Sequence, residues 1–261
     1  MPLAPAKIHW HHMPFPSANT AILTLLVFLV SALYASVGHA GASGDIAAMG
    51  LMGVPTASIK PIALILNLFV ASIGTYRFHR SGYFSWPLFW PFALTSIPAA
   101  FIGGRITLPS HIYRPIVGIV LLFAAYQLVR TSARLRVESS RKPHLIIALM
   151  WGAGIGLLSG LTGVGGGIFL SPLLLLAGWA TVRQSAAVSA AFILVNSTAG
   201  LAGNISSIHH VPTLVLWLIP AAALGGFLGS YLGSTRLNPV TLRYLIAAAL
   251  VIAGVKMISP V

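Results

Sequence analysis

Two glycine-rich stretches are the residues of this 261-residue chain whose types and spacing best suit chemistry. They are Gly38-His39-Ala40-Gly41-Ala42-Ser43-Gly44 and Gly160-Leu161-Thr162-Gly163-Val164-Gly165-Gly166-Gly167, each followed by a short apolar segment. Glycine lets a helix break, and the freed amides at the next half-helix start point their positive dipole ends at an anion. The alternative use of such glycines is close helix packing through small residues. Two polar amides, Asn67 and Asn196, lie inside apolar runs, where each must find a partner or cost a few kcal/mol. Lys60 stands just before Pro61, which marks a helix start, and offers a cation to the same anion. Arg183 reads as an ordinary interfacial anchor. The expected anion site is therefore Gly41, Ser43, Gly44, Lys60, Asn67, Thr162, Gly163, Gly165, Gly166, Gly167 and Asn196.

Asp45 directly follows Gly44 and is the one acid outside a basic central stretch. An intramembrane carboxylate is a proton or cation handle by default, whereas at a membrane surface it would be a helix cap. We expect Asp45 to be neutral for part of a transport cycle and so to act as the coupling residue. His39 has no second ligand at useful spacing except Asp45, so no metal site and no cofactor are expected. Gly41-Ala42-Ser43-Gly44 matches the GxSG turn of rhomboid intramembrane proteases, but that chemistry needs a base histidine on another helix. The late apolar runs, 211–232 and 240–258, contain none, so Ser43 is not expected to be a nucleophile and the chain is not expected to be an enzyme. Zero cysteines exclude disulfides, thiolate metal sites and cysteine nucleophiles.

The elements that must position these residues are apolar. Hydrophobic residues make up 57% of the chain and charged ones 7%, with a mean hydropathy of +0.92, where a soluble domain would carry about a quarter charged residues. No formal charge occurs from Leu145 through Val182, or between Arg183 and Arg236, and one membrane-crossing helix needs roughly 20 apolar residues. The net charge of +13 sits between the apolar runs, as a topology signal and not as a nucleic-acid face. Residues 1–19 form an N-terminal extension that lacks the basic start of a signal peptide.

Apolar segments fall near 20–38, 46–56, 61–76, 84–104 and 113–129, then near 145–161, 166–178, 186–204, 211–232 and 240–258. The sequence thus predicts an all-α polytopic membrane protein with eight to ten transmembrane or re-entrant segments. A first repeat at 20–130 and a second at 144–261 flank a basic linker, 131–143, expected to be cytoplasmic. Asn67 and Gly74 recur as Asn196 and Gly203, and Pro98 to Gly104 recurs as Pro220 to Gly226. If every segment crosses, each half has five spans and the halves are inverted, with ten basic residues inside and five outside. If 46–56 and 166–178 turn back instead, the split is nine to six, so charge leans toward inversion.

From about Thr20 onward the chain resembles the TauE/SafE sulfite exporter family of membrane permeases. The resemblance is carried by Gly38 to Gly44, Gly53-Val54-Pro55, Lys60-Pro61 with Asn67, Gly160 to Gly167, Pro172-Leu173-Leu174, Ala187-Val188-Ser189 and Asn196. It implies a multi-pass permease of the bacterial plasma membrane that moves sulfite, sulfoacetate or related organosulfonates, with lipid and the anion as its partners. Two departures stand out: the first half lacks the triple glycine, and Asp45 stands where an apolar or aromatic residue is expected. The reading from another class is a cation or metal permease or channel using Asp45 and His39. Oligomeric state is left open by the sequence, a homodimer included.

Overall fold

Each apolar run folds as a helix, because within a bilayer only hydrogen bonds inside the segment satisfy every backbone N–H and C=O. The computed structural model describes residues 18–36, 41–132, 143–233 and 239–259. The first half holds α1 (Ala18–Ser36), α2 (Ala42–Leu51), α3 (Thr56–Arg80), α4 (Trp86–Arg105) and α5 (Ser110–Ser132). The second holds α6 (Leu145–Thr162), α7 (Gly167–Leu176), α8 (Val182–Gly203), α9 (Val215–Gly233) and α10 (Pro239–Ile258), with a 3₁₀ turn at Ile205–His210. Among the described residues there is no strand. Six helices, α1, α3, α4, α5, α6 and α8, are long and apolar enough to cross a membrane. Large apolar side chains such as Leu94, Ile146, Met150, Leu216 and Ile252 are exposed, as a surface solvated by lipid requires. Residues 133–142 of the basic linker, the extension through residue 17, and His39 lie outside the described residues.

Glycines set how the helices meet. On α6, a Cβ at Gly152, Gly156 or Gly160 would strike the carbonyl oxygens of Phe92, Ser96 and Ala100 in turn, so α6 and α4 lie backbone to backbone and run the same way. On α9, Gly225 and Gly229 do the same against Phe28 and Ala32 of α1. Without a hydrophobic drive between helices in lipid, such small-residue seams supply the dispersion contact that holds them together. Gly200 meets Leu64 and Gly74 meets Ala190, so α3 and α8 cross antiparallel. The α5–α10 pair meets at Gly118 and Gly254.

The sequence expectation that Pro61 opens a helix is corrected by the structure. Helix α3 begins at Thr56, with Pro55 as its N-cap, and Lys60-Pro61 lies a turn inside it. The positive φ of Gly53, +72°, turns the chain there and leaves Pro55 to start the helix. Helices α2 and α7 have ten residues each, about 15 Å at 1.5 Å per residue and half the hydrocarbon thickness of roughly 30 Å.

Candidate functional site

Helix α6 stops at Thr162 because Gly163, its C-cap, takes a φ of +85°. Gly165 and Gly166 follow at +81° and +82°, and among the described residues only glycines have positive φ. Three left-handed residues in four positions are open to glycine at little cost and to other residues at a penalty. They carry the chain off the end of α6 and into α7, whose first backbone bonds run from Phe169 and Leu170 to the Gly166 carbonyl. None of the amides of Gly165, Gly166, Gly167 and Ile168 donates to a carbonyl among the described residues. Four bare donors thus gather at the positive end of a half-helix.

The break and its half-helix together cover the depth of the bundle. Gly163 packs on the backbone of Lys60 near the start of α3, and Gly167 lies beside Ile193 and Ser189 of α8. Ser171 Oγ then reaches Ser185 Oγ at 2.9 Å, one turn from the start of α8. Gly165 sits in the middle, where a Cβ would lie 3.0 Å from Asn67 Nδ2 and 3.2 Å from Ser197 Oγ. Asn67 Nδ2 donates to the Gly163 carbonyl at 3.3 Å. Asn67 Oδ1 and the hydroxyl oxygens of Ser159, Ser189 and Ser197 are buried with no hydrogen-bond partner. A buried polar group without a partner normally calls for an explanation, and here several lie around one helix break.

The remaining expected site residues fall into other roles. Lys60 Nζ donates to the carbonyls of Gly104 at 2.8 Å, Ile106 at 3.0 Å and Gly103 at 3.3 Å, which caps the C-terminal end of α4. Thr162 Oγ1 donates back to the Leu158 carbonyl, and the Thr162 carbonyl accepts from Tyr113 Oη at 2.9 Å. Asn196 Nδ2 donates to the Phe192 carbonyl of its own helix at 2.8 Å, and its Oδ1 has no partner. Asn67 and Asn196 thus recur in sequence but bond differently. In the first half Ser43 Oγ donates to Tyr34 Oη at 2.8 Å. Gly44 is a packing glycine, since a Cβ there would strike Val30 and Tyr34 of α1. Gly41 caps α2 at an ordinary φ of −64°.

Asp45 lies in the first turn of α2, fully buried, and neither of its oxygens has a hydrogen-bond partner. The described residues contain no group of three histidine, cysteine or acidic side chains able to hold a metal. Ser159, Ser197 and Tyr113 went unnoticed in the sequence, and Ser189 stood there only within a family motif. Serines on apolar helices commonly bond their own backbone, so spacing alone did not mark the three serines as neighbours of a glycine break.

A family model described as "Sulfite exporter TauE/SafE" matches residues 23–257. A relative from Sinorhizobium fredii, named "Probable membrane transporter protein y4hK", is 41% identical over 239 residues, 90% of this chain and 97% of its own length. Another from Methanocaldococcus jannaschii, named "Probable membrane transporter protein MJ0441", is 24% identical over 207 residues, 74% of this chain and 77% of its own. No solved structure matches. With a family match over most of its length and, among the described residues, six helices long and apolar enough to cross a membrane, the chain is a multi-pass membrane transporter and belongs to the TauE/SafE sulfite exporter family.

Proposed function

We propose that this transporter moves small sulfur oxyanions, sulfite or organosulfonates such as sulfoacetate, across a bacterial plasma membrane through a site at the Gly163–Gly167 break. The observation that carries the reading is the row of bare amides from Gly165 to Ile168, opening a helix start beside the unpartnered Ser197 hydroxyl and the Asn67 side chain, whose Nδ2 keeps one N–H beyond its bond to the Gly163 carbonyl. An oxyanion presents acceptors on several sides, and N–H and O–H donors answer them. A cation would meet those same N–H groups end on, which disfavours the permease reading built on Asp45 and His39. The donors around the break are neutral, which suits an anion that must be released again. The ammonium of Lys60 is held on α4 instead, its backbone against Gly163.

The architecture supports alternating access. Counting each glycine break with its half-helix as one crossing, each half crosses five times, and five is odd. The antiparallel α3–α8 pair, together with the same-direction pairs α4–α6 and α1–α9, supports halves that are inverted copies. In such folds the substrate lies where discontinuous helices meet near the midplane, and one half rocks against the other. The ends of α3 and α8 that carry Arg77, Arg80 and Arg183 lie together, with Arg183 bonded to Tyr83 Oη. That basic end, shared with the linker, is the cytoplasmic one.

The test is thermal unfolding of the purified protein against a panel of small ligands. Sulfite or sulfoacetate should raise the melting temperature, since a ligand at a hundred times its Kd adds about 2.7 kcal/mol of stability. Chloride and divalent metals should not. In Asn67→Leu the anion shift should shrink, its affinity lower by roughly 10- to 100-fold for one charge-assisted hydrogen bond. Stabilisation by divalent metals, and by none of the sulfur anions, would instead favour the cation permease.

A further inference from the structure

Asp45 is the fourth residue of α2 and Leu170 the fourth of α7, and both are fully buried. An apolar side chain fills the place in the second half, so the half-helix fold does not itself need a carboxylate there. In the first half, Asp45 Oδ1 and Oδ2 and the hydroxyl of Ser31 on α1 are all buried without partners. Gly41 stands between the two residues: a Cβ on it would lie 3.2 Å from Ser31 Oγ and 3.4 Å from Asp45 Oδ2.

The groups that face this carboxyl leave its charge unmatched. The helices packed on α2 are α1, α3, α5 and α10. From α1, Tyr34 is engaged with Ser43. On α3, Lys60 is held by the end of α4, and on α5 Tyr113 is bonded to the Thr162 carbonyl. His111 and Arg114 sit in the first turns of α5, with His111 exposed. On α10, Lys256 donates to the Leu51 carbonyl at the far end of α2, roughly 9 Å along the helix from Asp45 at 1.5 Å per residue. Among the described residues no ion pair to Asp45 forms, and a lone buried carboxylate is not sustained without a counter-charge or a proton.

We propose that the Asp45 carboxyl is a proton-binding site that moves one proton with each anion, in the same direction. A proton from water adds to a carboxylate oxygen as the first half opens to one face, and the neutral acid donates toward the Ser31 hydroxyl. The O–H bond breaks, and the proton returns to water, when the half opens to the other face. Neutral Asp45 lets an anion approach the centre and a bound anion favours the neutral acid, so the two bind together by reciprocal linkage. The glycine break of the second half, with Asn67 beside it, holds the anion, and the short helix of the first half holds the proton. The inference rests on the anion reading only for what accompanies the proton.

The chain has two acidic side chains, Asp45 and Glu138, so infrared spectroscopy of the full-length protein can assign a neutral carboxyl band directly. Near neutral pH, wild type and Glu138→Gln should both show the carbonyl band of a protonated carboxylic acid, and Asp45→Asn should lack it. Asp45→Leu, which copies Leu170, should purify folded and lack it as well. A wild type without the band, or a band that persists in Asp45→Asn, overturns the site. In liposomes carrying a trapped pH dye, an inward sulfoacetate gradient should acidify the lumen with wild type. Asp45→Asn should acidify it at least tenfold less while still exchanging labelled sulfoacetate. Wild-type acidification by Asp45→Asn overturns the coupling. A wild type that exchanges neither labelled sulfite nor labelled sulfoacetate removes the anion reading, and the band then decides the proton site alone.

Discussion

A buried ammonium with no acid beside it has to be held by carbonyl oxygens, and Lys60 finds three at the end of α4, where the helix leaves its last acceptors unsatisfied and its dipole is negative. The side chain thereby ties α3 to α4, 43 to 46 residues away. We expect Lys60→Met to strip α4 of this cap and to lower stability by on the order of 2 kcal/mol, the scale of a hydrogen bond to a charged group, with Lys60→Arg recovering part of it. Melting curves of the purified variants measure this. A Lys60→Met protein that melts with wild type would mean that the three carbonyls are satisfied in some other way. Sequence marks Lys60 as a charge in apolar surroundings, but whether it meets an anion or a helix end is decided by a residue far away in the chain. The same limit applies to Asn67 and Asn196: their recurrence is legible, whereas the bond of one to a turn and of the other to its own helix depends on tertiary contact.

At the scale of elements, the helices were legible because a bilayer turns hydropathy into structure directly, and the two short segments were legible as glycine-interrupted runs. Boundaries shifted where local backbone chemistry decides. The run placed at 46–56 is a helix at Ala42–Leu51, since polar Ser43 and Asp45 belong to its first turn, and Gly53 with Pro55 ends the turn before α3. Glycine uses divide in a way that sequence does not display: Gly165 and Gly166 serve a left-handed turn, whereas Gly156 and Gly160 let α6 touch α4. Their substitutions should therefore fail differently. Gly156→Leu drives a side chain into the Ser96 backbone, and should reduce the folded yield and the melting temperature together. Gly165→Ala strains a φ of +81° by about 1–2 kcal/mol and crowds Asn67 and Ser197. It should leave most of the protein folded while weakening the anion-induced melting shift more than tenfold in ligand concentration. If both variants lose stability alike and Gly165→Ala keeps the full anion response, the break is a packing device.

For the whole molecule, the directions of the helices make a claim about the membrane that can be tested without knowing the substrate. Helices α4 and α6 run together, and α3 runs against α8, so the ends of these helices are assigned to one end of the bundle or the other. Ser85 at the start of α4 lies at the end of the bundle where α6 begins, whereas Ser110 at the start of α5 lies beside Thr56 at the opposite end. The basic residues collect at the Ser85 end, where Arg77 donates to Ser230 and lies over the Phe227 ring, and positive charge marks the cytoplasmic face. The chain lacks cysteine, so single cysteines report position cleanly. Introduced at Ser139 or Ser85, they should resist an impermeant thiol reagent added to intact cells and react once the membrane is opened. At Ser110 they should react from outside. Labelling of Ser139 and Ser110 from the same side would mean that α5 does not cross and would break the assigned topology, because that one helix separates the two positions.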